Sequence, residues 1–342
     1  MKNLKYLPYA AFLVLAAVSY SCSDDDGGGG NRGGGGNGGG GAATSGSGMP
    51  TTAELGVEWP MSRVVDYDTE YLRLDYDADG RLTGGYDFMF GGNFTVDSMP
   101  LSFEYYDRTE SYDDRCVIDD IKVNEAGYIV SASISESFED FDTPVESWDM
   151  AGAVEVAYNA DGRMTEVVER CTFEENGYVG TAVCHNTYTW QGGQIATQVY
   201  RYEESFTENG QTYTYGEEEH TEFFYDGGYD NTGVYAELDD IEIVYSSLLY
   251  SGLLGKAPTQ LPSSYITTEY YNGQPEEQPS EVSRDATYDS DGRVMTYAHY
   301  TFYYHDAGSA PVGGSSKAYN PDHKRGAKAV VERMRSHRAA RH

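Results

Sequence analysis

The groups in this 342-residue chain able to do chemistry are four cysteines, seven histidines and 56 carboxylates. Carboxylates are so frequent that pairs suited to a glycosidase acid and nucleophile arise throughout and single out no site. His323, His337 and His342 lie near the C-terminus, whereas His185, His220, His299 and His305 fall in strand-like stretches. Neither HExxH nor GxSxG occurs, so no catalytic residue is indicated. One acidic run has metal-ligand spacing: Asp75, Asp77, Asp79 and Gly80 match positions 1, 3, 5 and 6 of a calcium loop. Position 12 of such a loop requires a bidentate Glu, and Tyr86 stands there, so calcium is a weak alternative to a hairpin turn and no other cofactor is implied. Cys171 and Cys184 flank the turn-like segment EENGY and could face each other across a hairpin as a disulfide, which the register of that hairpin decides. No CxxC or Cys/His spacing for a structural zinc site is present.

The elements that must position these groups are strands. Tyr76–Arg81 (YDADGR), Tyr158–Arg163 (YNADGR) and Tyr288–Arg293 (YDSDGR) repeat one device. Asp77, Asn159 or Asp289 opens a type I turn, Asp79, Asp161 or Asp291 sits at its centre, and Gly80, Gly162 or Gly292 takes the left-handed closing position. With Asp77 paired to Arg81, Tyr76 should oppose Leu82 and Leu74 oppose Gly84, placing Leu72, Leu74, Tyr76 and Leu82 on one face. Looser turns at 124–127, 175–177, 191–193, 208–211 and 271–273 extend the pattern to an antiparallel meander of about 10 to 14 strands. The device recurs at intervals of 82 and 130 residues, too irregular for a propeller or solenoid. The fold class is therefore all-β: a strongly curved sheet or open barrel. One stretch, 239–262, carries apolar residues at 241, 244, 245, 248, 249 and 253 and predicts a short helix over 241–253, ended near Gly252 to Gly255 and plugging the apolar face. The 32 tyrosines suit pleated, half-exposed strands, with a sugar-stacking surface as the functional alternative.

The termini are of a different kind. Lys2 and Lys5 precede the apolar run Ala10–Val18, too short for a permanent span of roughly 20 residues but suited to a cleaved signal over 1–21. Cys22 follows, in a setting that resembles the bacterial lipobox, with Ser21 fitting the position before it and Tyr20 and Ser19 departing from the pattern. The resemblance implies lipidation, a palmitate-bearing anchor, at Cys22. Ser23, Asp24, Asp25 and Asp26 resemble the signal that routes Bacteroidota lipoproteins to the outer face of the outer membrane; the alternative is an address on the periplasmic face. The Gly-rich remainder of 22–48 is a tether with a reach of roughly 25 Å. Residues 49–305 form the β domain, with 12 basic against 50 acidic residues, a net charge of -38. Such a body repels phosphate backbones, which excludes nucleic acid as a partner, and its strands carry carboxylates on both faces, which excludes a lipid-facing barrel. Residues 306–342 are a basic tail, disordered or weakly helical.

Lipobox-like Cys22, the YDxDGR hairpins, the segment SSLLYSGLLGKAPTQLP and the closing YDSDGRVMTYAHYTFYYH together resemble an uncharacterised Bacteroidota lipoprotein family, a domain of unknown function with a porin-like fold, over about Glu58 to Tyr304. The resemblance implies a curved sheet or open barrel on an envelope lipoprotein and carries over no catalytic residue. The expected function is a non-enzymatic, lipid-anchored, surface-exposed binding or structural module, with a glycan or an envelope protein as partner. The alternatives are a periplasm-facing carrier of an apolar ligand beneath Leu248 to Leu254, and a surface hydrolase.

Overall fold

The computed structural model describes residues 48–305 apart from 68, 89–91, 143–146, 176–177, 209, 236–245, 272–273 and 276–278. Cys22, Ser23, Asp24, Asp25, Asp26, the signal segment, the tether before residue 48 and the tail 306–342 lie outside the described residues. The strands in chain order are β1 Met61–Asp66, β2 Thr69–Tyr76, β3 Leu82–Asp87, β4 Gly92–Ser98, β5 Leu101–Arg108, β6 Tyr112–Val123, β7 Ile129–Asp140, β8 Trp148–Tyr158, β9 Met164–Glu175 and β10 Tyr178–Gln191. Then come β11 Gln194–Glu208, β12 Gln211–Phe224, β13 Tyr229–Asp230, the helix α1 Ser246–Tyr250, β14 Gln260–Leu261, β15 Ser264–Tyr271, β16 Gln274–Pro275, β17 Ser280–Ser283, β18 Ala286–Tyr288, β19 Val294–Tyr297 and β20 Tyr300–Tyr304.

Eighteen of these strands form one antiparallel sheet, and β13 pairs with β14 separately. The number exceeds the expected 10 to 14 because β16 to β20 are two to five residues long, too short to show alternation. Strands β1 to β12 pair with their chain neighbours, β12 pairs with β15, and β20 returns to β1. The two ends of this ladder are joined by chain: β17 pairs with β15, β18 pairs with β19, and only Arg284 and Asp285 separate β17 from β18. No ladder joins β15 to β19 directly, and the sheet is not closed into a barrel.

The hairpin device is built as its residues dictate. Asp77 Oδ1 accepts from the N–H groups of Asp79 and Arg81, both at 2.9 Å, and Gly80 closes the turn at φ 79°. Asn159 and Asp289 do the same for Asp161 with Arg163 and for Asp291 with Arg293, with Gly162 at φ 79° and Gly292 at 81°. Asn124 repeats it with Ala126, Tyr128 and Gly127. The carboxylates of the calcium alternative are engaged in this geometry, since Asp79 Oδ2 also pairs with Arg81 at 2.7 Å and Asp75 lies 3.5 Å from Arg73. Tyr76 opposes Leu82 as expected, but Leu74 opposes Gly85 rather than Gly84, because a bulge follows the first pair. The same slip recurs beside Tyr158 and Tyr288, so the device includes a bulge that the turn residues do not announce.

The tyrosines of the device tie their hydroxyls to backbone carbonyls. Tyr76 Oη donates to Met61 O at 3.0 Å, Tyr158 Oη to Ile129 O at 2.6 Å and Tyr288 Oη to Asp230 O at 2.9 Å. Tyr225, Tyr235, Tyr297 and Tyr304 likewise donate to the carbonyls of Ile195, Gly255, Pro262 and Val294. A buried phenol supplies a large apolar area while its hydroxyl satisfies a carbonyl that the ladder has left over.

The concave face is filled by α1 and the turn after it. All five residues of α1 are buried, and so are Leu253 and Leu254. The helix is shorter than the expected 241–253; residues 241–245 lie outside the described residues, and positive φ at Gly252 and Gly255 turns the chain away, as expected. Between Leu248, Leu254 and the wall of Ile118, Ile129, Ala132, Ile134, Val154 and Val156 the remaining void is about 10 Å³, no more than a water molecule occupies.

Substituting Asn159 by Ala removes the acceptor of two backbone N–H groups and should destabilise the chain by about 1–2 kcal/mol. Gly162→Ala should cost at least as much, because the position has positive φ and a Cβ there would lie 3.0 Å from Tyr128 Cε2. Urea unfolding of the two variants measures both; equal midpoints for wild type and variants would show that the turn does not set stability.

Candidate functional site

The connections β2–β3, β6–β7, β8–β9, β10–β11 and β18–β19 all fall on one rim of the sheet, because antiparallel neighbours alternate ends. Three segments cap that rim. Residues 51–57 begin with a capping box, in which Thr51 N donates to Glu54 Oε2 at 2.8 Å and Glu54 N to Thr51 Oγ1 at 3.1 Å. The hydrogen bonds that Thr51 N and Thr51 Oγ1 donate to Glu54 Oε2 hold that carboxyl below its ordinary value. Thr52 N then bonds Gly80 O, fastening the segment to the first turn. Residues 255–259 cross the turns at 159–162 and 191–193: Lys256 N donates to Gly162 O and Thr259 N to Gly193 O, each at 2.9 Å. Residues 231–235 complete the cap, with Asn231 Nδ2 donating to Val234 O and Pro258 O, both at 2.8 Å, and Tyr235 Oη to Gly255 O at 2.6 Å.

Between these segments lies a pocket of about 270 Å³, walled by Trp59, Tyr235 and Tyr250 and edged by Glu58, Arg163 and Lys256. Tyr235 and Tyr250 are buried and meet edge to face at 5.6 Å. The guanidinium of Arg293 lies over the Trp59 ring at 5.3 Å, held there by Asp289 at 2.7 Å. Arg163 sits over the ring of Trp190 at 5.7 Å, and its Nε is buried without a hydrogen-bond partner. The volume is just below the roughly 300 Å³ at which small-molecule sites begin, and suits about one sugar ring. Of the residues lining it, only Glu58 carries a carboxylate, so the acid and nucleophile of a glycosidase do not converge there.

The turn residues Asp77, Asp79, Gly80, Asn159, Asp161 and Gly162 belong to the capped rim and act through the backbone they shape. Cys171 and Cys184 are a correction: no disulfide joins them. The β9–β10 register sets Cys171 opposite Ala182 and Cys184 opposite Glu169, so the two cysteines are diagonal neighbours rather than partners. The Cys171 thiol donates instead to Ala182 O at 3.7 Å. None of the described histidines lines the pocket; His185 pairs with Glu166 at 2.7 Å and His299 stacks on Tyr67 at 5.1 Å. Among the described residues no group of three His, Cys, Asp or Glu side chains is placed to hold a metal ion. The pocket residues were not legible as a site because they come from four distant stretches. Trp59 and Lys256 stand out only by rarity, Trp59 as one of three tryptophans and Lys256 as one of two lysines between Met49 and His305.

No family model matches the chain, and no curated protein does. Among solved structures, it is similar to a porin-like protein from Bacteroides vulgatus, with a TM-score of 0.44 and 14% identity over 72% of this chain and 99% of that chain. A porin-like protein from Bacteroides uniformis matches with a TM-score of 0.20 and 10% identity, over 60% and 95% of the two chains. Likenesses at this level assign neither a family nor a function. The fold itself defines an all-β class: one large curved antiparallel sheet, a buried plug and a capped rim.

The interior also holds a titratable group. Glu169 is buried between Val154 and Cys184 on the neighbouring strands, and that burial pushes its carboxyl from 4.5 up to about 8. The folded chain therefore keeps Glu169 protonated near neutrality, while the unfolded chain ionises it. Stability should fall as pH rises from about 4.5 to about 8, by no more than about 5 kcal/mol from this group. Glu169→Gln should remove that slope in chemical denaturation at pH 5, 7 and 9; an unchanged slope would place the carboxyl in contact with water.

Proposed function

We propose that this protein is a lipid-anchored envelope protein of non-enzymatic type, held by lipid on Cys22 and facing the cell surface, and that it binds a small ligand in the rim pocket. The observation that carries the binding claim is the 270 Å³ pocket walled by Trp59, Tyr235 and Tyr250 beneath a cap of three hydrogen-bonded segments. The tyrosine-rich sheet is a poorer candidate, because so many phenols are spent as internal ties and the exposed ones, Tyr67, Tyr106, Tyr288 and Tyr303, are scattered. A glycan fits the pocket better than an apolar ligand beneath Leu248 to Leu254, where a void of about 10 Å³ leaves no room. Membrane contact through the anchor alone is supported by the outer face, where Glu155 with Arg170 and Arg201 with Glu218 form exposed cross-strand pairs in the middle of the wall. A lipid-facing strand would need an apolar band there.

Thr259 is exposed at the pocket. Thr259→Trp in the full chain purified in detergent should reduce binding on a glycan array by at least about tenfold while the melting curve is unchanged. Undiminished binding by that variant would move the ligand site elsewhere. For the address, external protease should digest the wild-type protein on intact cells and spare a variant with Asp24, Asp25 and Asp26 replaced by Ala. Protection of both proteins would put the domain in the periplasm.

A further inference from the structure

The cations of this domain are, with few exceptions, neutralised at close range. Arg63 and Arg73 lie 3.0 Å from Glu70, Arg81 lies 2.7 Å from Asp79, and Arg115, Arg170 and Arg201 lie 2.6, 2.7 and 2.8 Å from Glu104, Glu155 and Glu218. In a body with 50 carboxylates such matching is expected. Two cations at the capped rim are matched less closely. The nearest carboxylate oxygen to Arg163 is that of Asp161 at 3.7 Å, and the side chain, 13% exposed, keeps its Nε buried and unpartnered. Lys256 makes no ion pair among the described residues, its backbone N–H being fastened to Gly162 O while the side chain is left at the surface. Both line the same pocket.

Several neutral polar groups of that pocket are already committed. Asn231 uses its amide on Val234 and Pro258, Thr232 Oγ1 takes the Val294 N–H and meets Tyr304 Oη, and Tyr235 donates to Gly255. The charged groups that face a ligand are two cations and the Glu58 carboxylate, set among aromatic walls. A guanidinium whose nearest carboxylate oxygen is 3.7 Å away keeps terminal N–H donors that an anion oxygen can take at charge-assisted strength. Glu58 can accept from hydroxyls, and Trp59 provides a face for a ring.

We infer that the ligand of the rim pocket is a small anion, a carboxylate or phosphate borne on a hydroxyl-rich ring, with Lys256 and Arg163 binding the charged group and Glu58 the hydroxyls. The inference rests on the pocket being a ligand site, and the test separates the two. Titration calorimetry on the full chain in detergent compares glucuronate, glucose 6-phosphate, glucose and inorganic phosphate at fixed salt. Glucuronate or glucose 6-phosphate should bind about tenfold tighter than glucose, the two distinguishing a carboxylate from a phosphate source. Lys256→Gln should abolish that preference, and Lys256→Glu should abolish anion binding, whereas Lys122→Gln should leave it unchanged. Lys256 holds the fold through its backbone, so both variants should keep the wild-type melting curve. Glucose binding as well as the charged sugars, with Thr259→Trp blocking all of them, would leave the pocket and overturn the charge. Anion binding that survives Lys256→Glu would place the anion elsewhere on the chain, and silence of all four compounds would count against pocket and charge together.

Discussion

A single large sheet that curls has a concave face and no second sheet to cover it, and the rest of this structure follows from that constraint. Antiparallel sandwiches solve the problem by packing two sheets face to face. Here the chain inserts its own segment, α1 and the turn after it, whose Leu248, Leu249, Leu253 and Leu254 each contribute about 1.5–3 kcal/mol of apolar burial. The insertion puts backbone polar groups where no water reaches them, so they need partners in the wall. Ser247 N donates to Asp87 Oδ2 at 2.7 Å, Tyr105 Oη meets Ser247 Oγ at 2.8 Å, and Leu253 O accepts from Ile129 N at 2.8 Å. Asp87 is a fully buried carboxylate that would be costly without that N–H, so the plug and the acid depend on each other.

The rim pocket is a consequence of the plug's exit. A chain that leaves the interior at Leu254 must cross the hairpin turns to reach β14, and it can pass closely only where side chains are absent. Gly255 does so with its Cα so near the second device that a Cβ would lie 2.6 Å from Gly162 O. The crossing strand, the N-terminal segment at 51–59 and the 231–235 turn then lie over the rim without touching everywhere, and the space between them is the pocket. The turns accordingly have two uses, setting the register of hairpins and supplying free carbonyls, Gly80, Gly162 and Gly193, to which the cap is fastened.

How much of this the chain announces depends on the distance over which each feature is made. Asp77, Asn159 and Asp289 act on N–H groups two and four residues ahead, so their turns could be read directly, as could the leucine spacing of α1. The bulge beside each turn could not, because it depends on how the paired strands coil rather than on a residue type. The cysteine pairing failed for a similar reason: Cys171 and Cys184 suit a hairpin equally well in either register, and the one adopted offsets them by two residues. The tyrosine count points to half-exposed strands, where many of them sit, but that several hydroxyls bind backbone carbonyls requires knowing which carbonyls the ladder leaves unpaired. The pocket lay beyond reach altogether, since Trp59, Arg163, Tyr235 and Lys256 are joined only by the closing of the cap. The lipid and export signals rest on local residues of a segment outside the described structure, and there the sequence is the whole of the argument.

Charge sets the terms on which such a pocket can work. The domain's net charge of -38 opposes the approach of any anion, yet that opposition is a long-range effect screened over about 8 Å at physiological salt. Within the pocket, the interacting groups are closer than that, and there the balance is reversed, with Arg163 and Lys256 against Glu58. The two effects respond to salt in opposite senses: added salt eases the approach past the acidic surface and weakens the contacts once made. An anion small enough to lie wholly inside the pocket meets mainly the second effect, whereas a polyanion extending beyond the rim meets the first along its whole length. The arrangement therefore selects by size as well as by sign: it favours a single acidic residue, free or at the end of a neutral chain, over an acidic polymer.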